Sequence, residues 1–343
     1  MSALQIVTGA SGHLGASLVQ VLLAAGRPVR ALVMPGDRTA QRLPPDVEIQ
    51  EGNVLDPASL RQLMATKNGE PPTVYHCAGI VSTAMKATTL LHAVNVDGTK
   101  NVLSACREAG VRKLVHVSSV HALPETRAGE PAREATRFDP DSIVGPYAKS
   151  KAEATGLVLQ EADRGLNASV VFPTGLCGPG DLALGHMTRL LVDFVHNRMP
   201  MGVQGGFDFV DVRDVAKGLM QCADKGLRGE GYILGNRFIT VAEIFTLFSR
   251  FTGARTIRFF APMWLARFGL PMFALWERLR KRPQLFNQYA LHTLSGHILY
   301  SHEKASRDLG YSVRPFDETI HDMASWLKQE GLFAASPLPI MLQ

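Results

Sequence analysis

The sequence predicts an α/β fold class, in which a doubly wound parallel sheet is joined to a smaller, mostly helical C-terminal domain. Three observations support this prediction. Six apolar, strand-like runs recur up to Phe172, helical patterns separate most of them, and a glycine-rich turn links the first strand to the first helix. Strands and helices that alternate along a chain, with right-handed crossovers, form a parallel Rossmann-type sheet with helices on both faces.

The six predicted strands should end at one edge of the sheet, where ligands of such folds bind. The strands are Leu4 to Val7, Val29 to Val33, Val47 to Gln50, Thr73 to His76, Lys113 to Val117 and Ala168 to Phe172. Candidate ligand contacts follow five of them: the glycine turn, Asn53 and Val54, Ala78 and Gly79, Ser118 and Ser119, and Pro173. The sequence therefore predicts a single site at this edge.

The first turn has the pattern of a phosphate-binding loop. Residues 8 to 15 read TGASGHLG, and an apolar helical spacing begins at Leu14. Glycines give such a turn its positive-φ freedom, let the backbone approach a pyrophosphate and let helix and strand pack closely. The N-terminus of the following helix favours anions. The residues predicted to contact a dinucleotide here are Gly9, Gly12, His13, Leu14 and Gly15.

Tyr147 and Lys151, in the stretch YAKSK, predict an acid/base pair. If residues 145 to 164 are helical, positions four apart share one face, so the phenol and the ammonium point at one ligand. A tyrosine has an unperturbed pKa of about 10, too high for efficient proton transfer near neutral pH. A nearby cation lowers such a pKa, and Lys151 is the expected cation. With Ser119 and the glycine turn, the pair indicates a site for hydride transfer.

The regular alternation stops after Pro173, where glycine and proline become frequent. We therefore predict that residues 1–173 form a nucleotide-binding domain. Residues 206–235, with a strand at Phe207 to Val210 and a helix at Val212 to Ala223, are expected to return to it. Residues 174–205 and 236–330 are predicted to form the second domain, closed by a helix around Phe316 to Gln329.

The composition describes a globular chain of 343 residues, of which 46% are hydrophobic. Its net charge of +5 comes from 36 basic and 31 acidic residues that are mixed along the chain, so nucleic acid is not an expected partner. The four cysteines show no Cys-x-x-Cys spacing, and we predict reduced, structural thiols and no metal site. With a first strand at Leu4, a cytoplasmic location is expected.

Seven motifs together resemble the extended short-chain dehydrogenase/reductase family, also called the NAD-dependent epimerase/dehydratase family. They are TGASGHLG at 8–15, HCAG at 76–79, NVDGT at 95–99, VSS at 117–119, YAKSK at 147–151, PTGLCGPGD at 173–181 and FVDVRDVA at 209–216. The resemblance covers essentially the whole chain. Within the family the sequence is most similar to the dihydroflavonol-reductase-like and 3β-hydroxysteroid-dehydrogenase-like branch, which acts on apolar alcohol/carbonyl pairs.

The resemblance implies a role for each matching residue. Ser119 would hold the substrate oxygen, Tyr147 would exchange a proton with it, and Lys151 would bind the ribose hydroxyls and lower the tyrosine pKa. Asn53 would meet the adenine, and Ala78 and Gly79 would pass beneath the ribose and phosphates. Other cofactor contacts are then expected at Val54 and Pro173. Asn95 has either a functional or a purely structural role.

Cofactor choice departs from the usual family pattern. NAD enzymes place an acid at the end of the second strand and NADP enzymes place an arginine. Here those positions hold Val33 and Met34. Arg38 in the following loop could bind a 2′-phosphate through two hydrogen bonds, which favours NADP. Asp37 beside it keeps NAD as the alternative.

The expected substrate is apolar. Family members that bind nucleotide sugars clamp the diphosphate with two arginines, and this chain has Phe207 and Ala290 or Leu291 at those positions. Burying a diphosphate without a cationic partner is costly, so sugar nucleotides are disfavoured. The predicted substrate contacts are His121, Met187 and Phe207.

The apolar stretch from Phe259 to Trp276, followed by the basic run Arg278 to Arg282, allows two interpretations. Pro262, Gly269 and Pro271 divide it into short helices, which favours a mobile cover over an apolar pocket in residues 255–290. An interfacial membrane segment is the alternative, and membrane association is the less favoured of the two.

Three functions remain open from the sequence. The first is an NAD(P)(H)-dependent oxidoreductase for an apolar ketone or aldehyde and its alcohol. The second is an epimerase or oxidative decarboxylase that uses the same transient oxidation. The third is a nucleotide-sensing protein without turnover, against which the complete Ser119, Tyr147 and Lys151 set argues. Family members often form homodimers through helices that correspond to 86–109 and 145–164.

Overall fold

The main body of the protein is a parallel sheet of seven strands. The computed structural model describes residues 3–66, 69–85, 87–124, 126, 130–270, 288–296 and 298–333. The first six strands are β1 (Gln5–Thr8), β2 (Val29–Val33), β3 (Glu48–Glu51), β4 (Thr73–His76), β5 (Lys113–Val117) and β6 (Ala168–Pro173). With Gly231–Leu234 they form a sheet in the order 231–234, β6, β5, β4, β1, β2, β3, and every neighbouring pair is parallel. The predicted fold class is confirmed.

The order of the strands reverses between β1 and β4. From β1 the chain runs to β2 and β3 on one side, and then returns to β4, β5 and β6 on the other. The carboxyl ends of β1 and β4 therefore border the crevice in which doubly wound sheets bind ligands. β1, β4, β5 and β6 are buried along their whole length, which explains why they read as apolar runs instead of alternating ones.

Helices cover both faces of this sheet. Those of the first half are α1 (His13–Ala24), α2 (Pro57–Met64), α3 (Thr89–His92), α4 (Gly98–Glu108) and α5 (Pro146–Asp163), and a π-helical turn, Ala93–Asp97, joins α3 to α4. One apolar core unites α1 with Val212–Lys225, and a second unites α2, α4 and α5 with the opposite face. The helix predicted for residues 145 to 164 is α5.

A smaller unit follows β6. Its strands are β7 (Gly175–Cys177), β8 (Gly202–Val203), β9 (Gly206–Asp211), β11 (Arg237–Thr240) and β12 (Phe260–Ala261), and Gly231–Leu234 is β10. β9 lies between β7 and β11, and β8 pairs with β12. The helices are α6 (His186–Val195), α7 (Val212–Lys225), α8 (Val241–Thr252), α9 (residues 263–270), α10 (Gln288–Ser295), α11 (Glu303–Leu309) and α12 (Phe316–Gln329). A third apolar core joins α6, α8 and α12.

One expectation for residues 206–235 is wrong. The strand predicted at Phe207 to Val210 exists as β9, but it joins the small sheet and not the large one, because β7 and β11 occupy both of its edges. α7 and β10 do pack on the large sheet, the helix against α1 and the strand beside β6. The chain thus passes from the second unit back to the first between β9 and α7. The domain limits at 173 and 330 stay predictions.

Partly buried arginine–aspartate pairs fix α7 against α12 and the segment before it. Arg213 donates to Asp211 at the end of β9 and, at 2.7 Å, to Asp322 in α12. Arg314 donates to Asp214 at 2.8 Å. Hydrogen bonds to charged groups are among the stronger ones in proteins, so these bonds hold β9 and the residues beside it in place. Among the described helices, none is long and apolar enough to cross a bilayer.

Candidate active site

The glycine turn between β1 and α1 fits tightly against the loop that follows β4. Gly9 has a φ of 66°, a left-handed conformation that favours glycine, and a Cβ placed there would lie 2.8 Å from the Ala78 Cα. A Cβ on Gly15 would lie 2.1 Å from the Gly9 carbonyl oxygen. Gly12 stands immediately before α1, and its N–H donates to the Gly9 carbonyl at 3.2 Å. The turn therefore presents bare backbone and a helix N-terminus at the crevice, which suits a pyrophosphate.

The next two residues of the turn have different surroundings. His13, the first residue of α1, lies 3.1 Å from the Pro179 carbonyl oxygen through its Nε2 atom. That contact brings the PTGLCGPGD segment next to the glycine turn. Leu14 is buried in the core beneath the turn, so its side chain supports the loop and only its backbone is available to a ligand.

Ser119, Tyr147 and Lys151 come together above the carboxyl ends of β4 and β5, and all three are buried. Ser119 follows β5 and precedes a short 3-10 turn, whereas Tyr147 and Lys151 lie one turn apart in α5. The Ser119 side chain lies next to Tyr147 and lowers the pKa of its phenol. The Lys151 Nζ atom donates to the Val117 carbonyl oxygen at 2.8 Å, which fixes the ammonium at the end of β5.

The protonation of this group differs from the sequence expectation. Burial raises the pKa of Tyr147 to about 12, although the neighbouring Ser119 side chain lowers it in part. Burial also lowers the pKa of Lys151 to about 8. The sequence predicted that the tyrosine pKa is lowered. That prediction is wrong for this structure, because removal of the phenol from water raises its pKa more than Ser119 lowers it. At neutral pH the phenol and the ammonium both carry their protons.

Asn95 connects the loop after β4 to α5. Its side-chain oxygen accepts from the Ile80 N–H at 2.8 Å, and its amide donates to the Ile80 carbonyl and to the Ser150 Oγ atom, each at 3.0 Å. Ser150 in turn donates to the Tyr147 carbonyl at 2.7 Å. A Cβ on Gly79 would lie 3.2 Å from both the Asn95 Oδ1 and the Lys151 Nζ atoms. Asn95 thus positions both sides of the crevice, a structural role that the sequence left open.

Two buried imidazoles lie behind the lysine. His76 at the end of β4 is bonded to Thr8 at 2.8 Å and to Thr99 at 3.1 Å, and its ring centre is 5.3 Å from that of His116. Burial, and then the charge of Lys151, lower the pKa of His76 to about 3. The imidazole is therefore neutral and adds no charge beneath Lys151.

Aromatic rings line the side of the site that faces the small unit. The His121 ring stacks on Phe207, with ring centres 5.3 Å apart and planes 6° apart, and it lies 6.3 Å from the ring of Tyr147. Tyr289 is 5.6 Å from His121, and Tyr300 is 5.9 Å from Phe207. Burial, and then the neighbouring His292, lower the pKa of His121 to about 4, so the imidazole is neutral. The walls beside Tyr147 are consequently apolar and uncharged.

The structure does not bring Met187 to this group. The side chain lies in the apolar core of the small unit with Leu191 and Phe245. The prediction that Met187 contacts the substrate therefore needs correction, because the apolar face of α6, which carries Met187, packs on α8. A methionine on an amphipathic helix gives no signal that distinguishes core from pocket.

Sequence patterns did not indicate Tyr289 and Tyr300 as site residues. Tyr289 packs against Gly145, whose φ is 97° and whose Cβ would lie 2.6 Å from the tyrosine ring. The contact joins parts of the chain that are far apart in sequence, so no local spacing predicts it. The glycine before the YAKSK stretch was the one available sign of a close approach.

The loops after β2 and β3 complete the crevice. Asn53 accepts from the Leu55 N–H through its side-chain oxygen at 2.9 Å, and Val54 is buried against Gly98. Asp37 caps a 3-10 turn, Arg38–Arg42, by accepting from Thr39 at 2.8 Å. Partial burial raises the pKa of Asp37, but hydrogen bonds from Ser11 and Thr39 outweigh it, so the net pKa is below the ordinary value. Arg38 is exposed, and no ion pair of it is recorded within the described residues.

The fold is that of a dinucleotide-binding enzyme. It combines a parallel doubly wound sheet and a glycine turn before α1 with a serine, a tyrosine and a lysine at the switch point. The model of the NAD-dependent epimerase/dehydratase family matches residues 5–235. The chain belongs to this family, and it is an oxidoreductase-type enzyme of the extended short-chain dehydrogenase/reductase group.

Individual relatives extend over nearly the whole chain. Sterol demethylase protein B of Methylococcus capsulatus is 32% identical over 331 residues, which are 95% of this chain and 99% of that protein. The "Putative dihydroflavonol 4-reductase" of Synechocystis sp. is 29% identical, covering 95% of this chain and 94% of its own length. The crystal structure of gox2253 superposes with a TM-score of 0.83 at 28% identity, covering 96% of this chain and 99% of that one. These matches support the predicted reductase-like branch.

Proposed function

We propose that the protein transfers a hydride between a nicotinamide cofactor and an apolar ketone or aldehyde, or the corresponding alcohol. The observation that carries the proposal is the meeting of Ser119, Tyr147 and Lys151 beside the glycine turn, all three of them buried. The residues present fit a dinucleotide: Gly9 and Gly15 let the turn pack closely on the loop after β4 and on α1, and the bare backbone of Gly79 lies beside Lys151. The cofactor supplies the hydride chemistry when bound.

Each residue has a distinct task in this proposal. Ser119 and Tyr147 bind the substrate oxygen, and Tyr147 donates a proton to it as the carbonyl becomes an alcohol. Because burial raises the pKa of Tyr147 to about 12, the phenol is protonated at neutral pH and ready for reduction. Lys151 holds a positive charge beside the developing oxyanion and the ribose hydroxyls, and preorganised charge of this kind is the main source of stabilisation in such sites.

Apolar substrates are supported by the walls of the site. His121, which is neutral, stacks on Phe207 next to Tyr147. A nucleotide-sugar enzyme would need a cation at the position of Phe207 to pair with the diphosphate. Leu291, at the second such position, is buried in an apolar cluster. One relative is named sterol demethylase protein B. Another is the human 3 beta-hydroxysteroid dehydrogenase type 7, which is 26% identical to this chain over 90% of its own length. We therefore expect a bulky, largely hydrocarbon alcohol or ketone.

A direct test is a panel of steroid ketones, steroid alcohols, aromatic aldehydes and UDP-sugars. The purified full chain is incubated with each compound and both forms of each nicotinamide cofactor, and absorbance at the nicotinamide band is followed. We expect turnover with at least one apolar carbonyl or alcohol and none with UDP-sugars. Isomerisation of a UDP-sugar without net cofactor oxidation would instead establish an epimerase. Tight cofactor binding without turnover of any compound would favour the nucleotide sensor.

We further propose that NADP is the preferred cofactor. The carboxylate of Asp37 accepts two hydrogen bonds from Thr39, and Ser11 of the glycine turn lowers its pKa, so the carboxylate is already engaged within the protein. Arg38 is exposed next to it at the end of the β2 loop, where a 2′-phosphate would lie. A guanidinium can bind a phosphate through two parallel hydrogen bonds.

Arg38→Ala should therefore weaken NADPH binding by about tenfold or more, on the scale of one charge-assisted hydrogen bond, and leave NADH binding unchanged. The matched control is Arg42→Ala, which removes an arginine of the same 3-10 turn that is already paired with Glu330. Fluorescence titration of wild type and both variants with each reduced cofactor measures the effect. Identical NADPH curves for wild type and Arg38→Ala would remove this residue from the cofactor site.

A further inference from the structure

An apolar patch covers the outer face of α9 and the residue before β12. We define the α9 patch as Phe259, Trp264, Leu265 and Phe268. The exposed fractions of Phe259, Trp264 and Phe268 are 55%, 70% and 83%. Trp264, Leu265 and Phe268 follow the spacing of one helix face. The sequence favoured a cover whose apolar face closes on a pocket, but this face of α9 is turned to solvent.

The opposite face of α9 is already occupied. Met263, Ala266 and Leu270 pack into an apolar cluster with Leu291 and Leu294. The side of α9 that packs on the protein is therefore distinct from the α9 patch, which stays exposed. Exposed aromatic side chains grouped this way mark interaction surfaces in soluble proteins.

Three basic residues lie close in sequence to the α9 patch. Arg255, Arg258 and Arg267 are exposed, and no carboxylate partner is recorded for them within the described residues. The sequence from residue 253 to residue 270 contains no aspartate or glutamate. Tryptophan with arginine on the rim of an apolar helix face is the composition that binds the headgroup region of an anionic bilayer. A second copy of the chain would bring the same uncompensated charges face to face, which opposes self-association.

α9 also borders a cavity that it shares with α10. A cavity of about 290 Å³ between α9 and α10 is lined by Arg267, Leu270, Gln288, Leu291 and His292. α10 carries Tyr289, which contacts His121, and the charge of His292 acts on the same imidazole. The exposed patch and the aromatic wall thus lie on two sides of one helix pair.

We propose that the α9 patch docks the protein on the surface of an anionic phospholipid bilayer, with Phe259, Trp264 and Phe268 inserted among the headgroups and the three arginines on lipid phosphates. The helix lies in the plane of the interface and does not span the membrane. Docking there would place the cavity between α9 and α10 at the bilayer surface, where apolar molecules partition. The inference does not depend on the reaction proposed above, because vesicle binding is measured without turnover.

The test is flotation of the full chain with vesicles of phosphatidylcholine and phosphatidylserine, compared with vesicles of phosphatidylcholine alone. We expect binding to the anionic vesicles at low salt that weakens as salt is added. Each arginine near an anionic surface contributes about a fivefold increase in partitioning, so Arg255→Gln/Arg258→Gln/Arg267→Gln should lower the partition coefficient by about a hundredfold. Trp264→Ser/Phe268→Ser should abolish binding.

The matched control is Leu227→Ser/Arg228→Gln, which removes an exposed leucine and an exposed arginine at a site remote in sequence from the α9 patch. It should bind vesicles like wild type. Thermal unfolding checks that every variant is folded, as expected for exposed side chains. Absence of binding to anionic vesicles at low salt, or equal binding by wild type and both patch variants, would overturn the proposal. The proposal would also be overturned if the protein does not bind vesicles but forms a concentration-dependent dimer that Trp264→Ser/Phe268→Ser disrupts.

Discussion

Tyr147→Phe should lower kcat by about a hundredfold or more, which is the usual contribution of a positioned general acid or base. The variant loses one hydroxyl, the group next to Ser119 that we propose as proton donor. The ring and its contacts with His121 remain, so substrate and cofactor binding should change little. The measurements are steady-state kinetics with the best compound of the panel, and NADPH binding by fluorescence.

Tyr311→Phe is the control for the loss of a buried tyrosine hydroxyl. That hydroxyl donates to the Gly235 carbonyl at 3.3 Å, outside the group around Tyr147. Both variants should lose about 1 kcal/mol of stability or less, the net contribution of one hydrogen bond. Only Tyr147→Phe should lose turnover. If its kcat stays within threefold of wild type, Tyr147 is not the proton donor and the reaction proceeds through another acid.

Much of the fold could be predicted because its signals are local. Five of the six predicted strands are buried along their length, since helices cover both faces of the large sheet there, whereas β3 is an exposed edge strand. The observed limits of all six differ from the predicted ones by at most one residue at each end. β10 was not predicted as a strand, although Gly231–Leu234 is as long as β1 and β4; its first residue is glycine, which weakens the strand signal. β9 reads like any other apolar strand, and only its pairing with β7 and β11 places it in the small sheet.

The candidate site also has parts that the sequence predicts and parts that it does not. The glycine turn, Ser119 and the Tyr147/Lys151 pair have fixed spacings along the chain, and the structure places them together. The tyrosine pKa could not be predicted, because the cost of removing the phenol from water depends on how the whole site folds around it. Likewise, the contact of Tyr289 with Gly145 and the exposure of Trp264 arise from packing between distant segments. Helical periodicity in a sequence identifies an apolar face of a helix, but it does not show which part of the protein that face contacts.

Gly15→Ala should be the most damaging single-methyl addition in the glycine turn. The new Cβ would lie 2.1 Å from the Gly9 carbonyl oxygen and 2.8 Å from the Ala10 Cα, and both obstacles are backbone atoms that no side-chain rotation can move. α1 must therefore shift away from the turn that follows β1. Overpacking of this kind costs about 1 to 3 kcal/mol of folding free energy. Displacement of the helix N-terminus should also weaken NADPH binding by about tenfold or more, since the pyrophosphate relies on that N-terminus.

The matched control is Gly156→Ala in the middle of α5, where a Cβ would meet nothing within 4 Å. Alanine is favoured over glycine inside a helix by about 1 kcal/mol, so this variant should be slightly more stable than wild type with unchanged NADPH affinity. Thermal unfolding and fluorescence titration of wild type and the two variants separate the effects. Wild-type stability and wild-type NADPH affinity in Gly15→Ala would mean that α1 and the glycine turn do not pack as closely as the structure places them, and the case for a dinucleotide on this turn would lose its geometric basis.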